Sequence, residues 1–182
     1  MDESTNKLPQ LLMRRDLTDL PPLNLPDGVT VRHFQEGDEG IWENIISLSF
    51  ESPHEFNPGM KDDSAFRNDR VLFLLVEGVP VATASAWFVP KYGDDTGFVH
   101  MVGALPSYQG RRLGYWVTLA VLYKLKAEGY LYAVLTTDDF RLAAIKTYLN
   151  LGFSIDKSDH GSIPERWEKI KAFLDKAPVY KF

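Results

Sequence analysis

The chain has 182 residues, 45% of them hydrophobic, which is enough to bury the core of one domain and short for two. With 25 acidic against 20 basic residues its net charge is −5, which excludes general attraction to nucleic acid or to an anionic membrane surface. It has no cysteine, so disulfide frameworks, thiol nucleophiles and cysteine-ligated metals are excluded, and a cytoplasmic setting is expected.

The N-terminal "MDESTNKLPQLL" lacks the basic and then apolar layout of a signal peptide, and no apolar run approaches a membrane span. With "LTDLPPLNLPDG" it makes residues 1–28 an extended arm of little regular structure, ahead of a single domain over residues 29–182. "VTVRHF" alternates as a strand from Val29 to Phe34. In "EGDEGIWENIISLSF" Ile41, Ile45, Leu48 and Ser49 fall at helical spacing, with Asp38 placed to cap the helix. Pro53, Pro58 and Gly59 then break the chain into a loop, with a short helix expected near Asp62 to Arg67.

"VLFLLVEGVPVATASAWFV" reads as a hairpin: a strand from Val71 to Val76, a turn at Glu77 to Pro80, and a strand from Val81 to Val89. Gly97 to Leu105 is a further strand. The stretch "LPSYQGRRLGYWVTLAVL" then leads into a helix with Ala120, Val121 and Leu125 facing inward, ended by Gly129. "YLYAVLTT" is a buried strand, and Asp138 or Asp139 caps the helix "FRLAAIKTYLNL", which Gly152 closes. A strand at Phe153 to Asp156 and a last helix, "PERWEKIKAFLDK", complete the chain.

A helix entered through a glycine turn offers unpaired N–H groups and a positive dipole end, so Gly110, Arg111, Arg112 and Gly114 suit an anion. The same residues also fit an ordinary packed turn with solvated arginines. "GRRLGYW" is neither an ATP P-loop nor a dinucleotide fingerprint, so both of those sites are set aside.

The run "PSYQGRRLG" before a long helix resembles the Q/R-x-x-G-x-G/A acyl-CoA motif of the GCN5-related N-acetyltransferases (GNAT), and "AAIKTYLNLGF" is similar to their A-x-x-x-Y-x-x-x-G-F segment. The order of strands and helices from Val29 to about Asp156 resembles that family too. The resemblance implies an α/β (α+β) fold with a mixed, mostly antiparallel central sheet flanked by helices. It also implies acetyl-CoA as cosubstrate, with acetyl transfer to a primary amine of a small-molecule or peptide acceptor in a ternary complex. Neither nucleic acid nor membrane is an expected partner, and a homodimer is compatible with this reading.

Residue by residue, the resemblance implies that backbone amides of Gln109, Gly110, Arg111, Arg112, Leu113 and Gly114 cradle the coenzyme A pyrophosphate. Val102, Gly103 and Ala104 would pair their backbone with the pantetheine arm and the thioester. Tyr148 would protonate the leaving thiolate. Arg141 would join them as a cofactor-binding residue. Two positions depart from the family pattern: Arg112 stands where the middle motif glycine is usual, and Arg141 where an asparagine that contacts the coenzyme is common.

Amine acylation also needs a proton acceptor. Strand alternation puts Phe98, His100, Val102 and Ala104 on one face, and His100 lies four residues before Ala104, where the family often places a base. An imidazole titrates near working pH, so His100 is the first candidate, with Asp94 and Asp95 acting through water as the alternative. The competing reading for His100 is a histidine that merely satisfies a neighbour; for Tyr148 it is a core stripe with Leu142, Ile145 and Leu149. Phe50, His54, Phe56, Trp87, Phe88 and Tyr92 are the aromatic candidates for the acceptor pocket. No metal site is expected. The alternative function is a non-catalytic acyl-CoA sensor or interaction module of the same fold.

Overall fold

The computed structural model describes residues 9–156 and 163–176; the beginning of the expected arm and the end of the expected domain lie outside the described residues. Among the described residues seven strands form one sheet: β1 (Leu11–Asp16), β2 (Val29–His33), β3 (Val71–Val76), β4 (Val79–Trp87), β5 (Thr96–Ala104), β6 (Tyr132–Thr137) and β7 (Ser154–Ile155). Their order is β2-β3-β4-β5-β6-β1-β7, and of these described strands β5 and β6 pair parallel while the other neighbours pair antiparallel. Four α-helices among the described residues flank the sheet: α1 (Glu39–Phe50), α2 (Leu113–Ala127), α3 (Leu142–Asn150) and α4 (Ile163–Lys176). None of the described helices is long and apolar enough to cross a membrane.

The sequence of β3 shows how the layers form. Leu72, Leu74 and Val76 enter a core with Val117, Val121 and Leu125 of α2. Val71 and Phe73 enter a second core with Trp42, Ile45 and Ile46 of α1. A strand covered on both faces has to be apolar throughout, and "VLFLLV" is.

Three local expectations change. The arm is not without regular structure, because Leu11–Asp16 pairs antiparallel with both β6 and β7. Leu11 and Met13 supply the buried alternation, but the third inward position is Arg15, which obscures the pattern. Its guanidinium is spent on the carbonyls of Leu151, Asp16 and Asp19, so the charge is buried with its donors satisfied. Asp38 sits at the N-cap position of α1 without a capping bond. It takes the Arg32 guanidinium instead (Nη2 to Oδ1, 2.9 Å), together with the N–H of Gln35, and these hold its carboxyl below the usual range. No helix forms at 62–67: a π-helical turn at Asn57–Lys61 and a 3-10 turn at Asn68–Arg70 stand on either side. Asp63 Oδ1 accepts the Ala65 N–H at 2.8 Å and turns the chain between them.

Gly103 is where α1 comes closest to β5. A Cβ there would lie 2.8 Å from Ile46 Cδ1 and 3.2 Å from Ser49 Cβ. Gly103→Ala is therefore expected to push α1 off the sheet and cost about 1–3 kcal/mol. Urea unfolding at constant m-value measures this, and an unchanged midpoint would show that the helix can shift freely.

Candidate active site

The site begins where the sheet opens. β5 and β6 pair only from Thr96↔Tyr132 to Phe98↔Val134, and beyond that the parallel strands separate. On the other edge of β5 the register with β4 slips between Thr83↔Gly103 and Ser85↔His100, so β5 carries one extra residue. The cause is Met101, a non-glycine residue in the left-handed region at φ 49°.

This bulge corrects the expected alternation. Phe98 and His100 lie on the α1 side, where His100 touches the Trp87 ring at 5.3 Å and the Phe98 ring at 5.7 Å. Val102 and Ala104, beyond the bulge, pack against the opposite core. One extra residue inverts the facing of every side chain after it.

The opening between the strands is a cavity of about 160 Å³. His100 and Val102 line it from β5, Thr136 and Thr137 from β6, Arg141 and Tyr148 from α3, and Phe50 from α1. Burial pushes the His100 imidazole down to about 4, against a smaller upward pull from Asp63, so it is neutral at pH 7. Burial pushes the Tyr148 phenol up to about 12, against the opposing charge of Arg141. A neutral imidazole and a protonated phenol thus share one cavity, a proton acceptor and a proton donor. Ser85, paired across the ladder with His100, has a buried hydroxyl with no partner among the described residues.

A second cleft, of about 640 Å³, lies between the start of α2 and α3 and is lined by Gly110, Arg112, Tyr115, Lys146 and Asn150 among others. None of the backbone N–H groups from Gly110 to Tyr115 donates to an acceptor among the described residues. Six consecutive unspent donors at a helix start fit a pyrophosphate without requiring any side chain. Arg112 keeps the left-handed conformation, at φ 56°, that a glycine would adopt there. Holding a side chain in it costs roughly 1–2 kcal/mol, and the guanidinium sits 4.4 Å from the Tyr115 ring centroid. Leu113 is core, so only its backbone is available to a ligand.

The remaining candidates separate. Gly103 faces α1, and the Ala104 N–H donates to Ser49 Oγ at 3.3 Å. Gln109 and Arg111 are exposed and line neither space. Among the aromatics, Phe50 lines the cavity beside His54, and Tyr92 stacks on Phe98 at 5.7 Å. Phe56 and Trp87 are core, and Phe88 stacks on Tyr130 at a cleft elsewhere. Asp94 and Asp95 do not line the cavity, and Asp95 Oδ1 is occupied by Thr96 Oγ1 at 2.8 Å. Thr136, Thr137, Lys146 and Asn150 join these walls with no local sequence signal; the turn from β6 into α3 brings them there.

The family described as Acetyltransferase (GNAT) family matches residues 41–153. A mycothiol acetyltransferase of Thermomonospora curvata is 33% identical over 152 residues, which is 79% of this chain and 51% of that protein. Another, of Actinosynnema mirum, is 31% identical over 156 residues, 81% of this chain and 52% of that protein. The chain spans about half the length of these curated relatives. In fold it is similar to the crystal structure of a GCN5-related N-acetyltransferase from Sphaerobacter thermophilus, with a TM-score of 0.64 and 20% identity, covering 82% of this chain and 50% of that one. The matched segment runs from α1 to the turn before β7 and so contains both the opened strand pair and the unspent amides; the chain belongs to the acetyltransferase (GNAT) family.

Proposed function

We propose that this chain transfers an acetyl group from acetyl-CoA to a primary amine in a direct ternary complex. The observation that carries the reading is the cavity at the opened β5–β6 edge, where a neutral His100 and a protonated Tyr148 line the same space. The six unspent amides at the start of α2 would hold the pyrophosphate of the cosubstrate. The edge of β5 beyond Phe98, released from β6, would pair with the pantetheine arm and polarise the thioester carbonyl.

In the reaction, the amine nitrogen attacks the thioester carbon and a C–N bond forms. The free imidazole nitrogen of His100 takes the proton that the nitrogen releases. The C–S bond then breaks, its electron pair goes to sulfur, and Tyr148 donates its phenolic proton there. Solvent reprotonates Tyr148 and deprotonates His100.

Coenzyme A binding tests the cosubstrate. At about 100 times its Kd, coenzyme A should stabilise the fold by about 2.7 kcal/mol, or about 5–10 °C in Tm, with far smaller shifts from ATP and NADH. Equal shifts with all three ligands would defeat the assignment. Thiol release across a panel of amines, a mycothiol-type amine included because of the relatives' name, then separates an enzyme from a non-catalytic acyl-CoA module.

A further inference from the structure

We propose that the cavity contains a carboxylate subsite centred on Arg141, so that the acceptor is an amine that also carries a carboxylate, an amino acid or a compound of that class. This rests on the acetyl-transfer reading above and names its acceptor class.

Arg141, Ala144 and Tyr148 follow one another at positions i, i+3 and i+7 along α3, and all three line the cavity. The Arg141 guanidinium carbon sits 4.2 Å from the centroid of Phe50, joining the start of α3 to the end of α1. Its Nε donates to Asp138 Oδ2 at 3.3 Å. Nη1 and Nη2 donate to no acceptor among the described residues, although only 25% of the side chain is exposed.

Three other half-buried or buried arginines spend these donors, while half-buried Arg14 lays its guanidinium over the Tyr132 ring. Arg15 spends its donors on three carbonyls, Arg32 on Asp38 and the His33 carbonyl, and Arg70 on Glu128 and the Ala65 carbonyl. Arg141 instead keeps both amino groups unspent at a cavity wall. Phe50 supports the guanidinium and Asp138 ties down its Nε, so the group is held in place while the two amino groups stay open. Paired amino groups in a plane match the two oxygens of a carboxylate, which is why arginine is favoured for bidentate recognition.

The rise along the helix axis from Arg141, at the N-cap of α3, to Tyr148 is about 10 Å, so the two side chains enter the cavity from backbone positions two turns apart. The cosubstrate phosphates already have the α2 amides in the separate cleft. Asp138, the acidic group in contact with Arg141, also accepts from Gln10 Nε2 at 3.3 Å and so has a second cavity-lining partner. A carboxylate could reach the fork from the acceptor or from a dicarboxylic acyl group on the donor, and the test separates the two.

Each amino acid is assayed beside the amine left when its carboxylate is removed, with acetyl-CoA and the full chain. The carboxylate-bearing member should show a kcat/KM higher by about 10–100-fold, carried mainly in KM. Arg141→Gln should bring that ratio close to one, and Arg141→Lys should retain part of it. Calorimetric titration of the same pairs onto the coenzyme A complex tests the subsite without turnover. An Arg141-dependent preference seen there in a chain that acetylates nothing would uphold the subsite and defeat the catalytic reading. No preference in the wild type, or equal losses for both members in Arg141→Gln, would overturn the proposal. It would also be overturned if Arg141→Gln impaired only transfer from acyl-CoA donors that carry a terminal carboxylate.

Discussion

His100→Ala is expected to lower turnover roughly 10²-fold, the lower end of the range for loss of a general base. The lower end follows from the depressed pKa, because an imidazole that gains its proton only near pH 4 is always available at neutral pH but is a weak acceptor. The sign of the pH dependence follows too. The folded pKa lies below the ordinary value of 6.5, so protonation opposes the native environment. The stability contribution is fully present above 6.5 and is lost as the pH falls from there through about 4. The limb that His100 contributes to wild-type kcat/KM should therefore lie near pH 4, superposed on the protonation of the acceptor amine, and His100→Ala should abolish that limb. A wild-type limb centred near 6.5 would mean that the imidazole is better solvated than its contacts with Trp87 and Phe98 imply. Full activity of the variant would move the proton to water.

Tyr148→Phe should lower kcat about tenfold or more while leaving coenzyme A affinity and Tm nearly unchanged. The ring is buried and packs edge-on against Phe153 at 6.0 Å, and phenylalanine keeps both features. Only the proton is deleted. In the proposed mechanism negative charge grows on sulfur late in the reaction, so the hydroxyl would assist the transition state more than the ground state and its loss should appear in kcat rather than KM. Burial holds the phenol protonated to about 12, so no alkaline limb from its ionisation should appear below pH 10. If the variant keeps full kcat, the proton-donor role is lost. If it melts several degrees lower with a matching loss of coenzyme binding, Tyr148 serves the core alone.

The sequence by itself determined the elements whose patterns are local. The unbroken apolar run of β3 and the turn glycines that end α2 and α3 each follow from nearest-neighbour chemistry, and both are found in the fold; α1 forms where its spacing predicts, but it buries Trp42, Ile45 and Ile46 and leaves Leu48 exposed. The motif around Gly110 to Gly114 was legible for the same reason, since an unpaired helix start needs only the residues beside it. Other features depend on residues far apart in the chain. β1 is not legible in the sequence because Arg15 occupies an inward position that becomes tolerable only when Leu151, more than a hundred residues later, supplies a carbonyl for it. The facing of Val102 and Ala104 depends on the left-handed backbone at Met101, and methionine carries no local preference for that conformation. Arg141 reads in the sequence as a cofactor-binding position that departs from the family pattern; its place on the cavity wall is not legible there, because its orientation is set by Phe50 at the far end of α1 and by Asp138 beside it. Backbone propensity acts over a few residues and can be read in order along a chain. The protonation of His100, the faces of β5 and the unspent fork of Arg141 are set by burial and long-range contacts, which exist only once the sheet has closed.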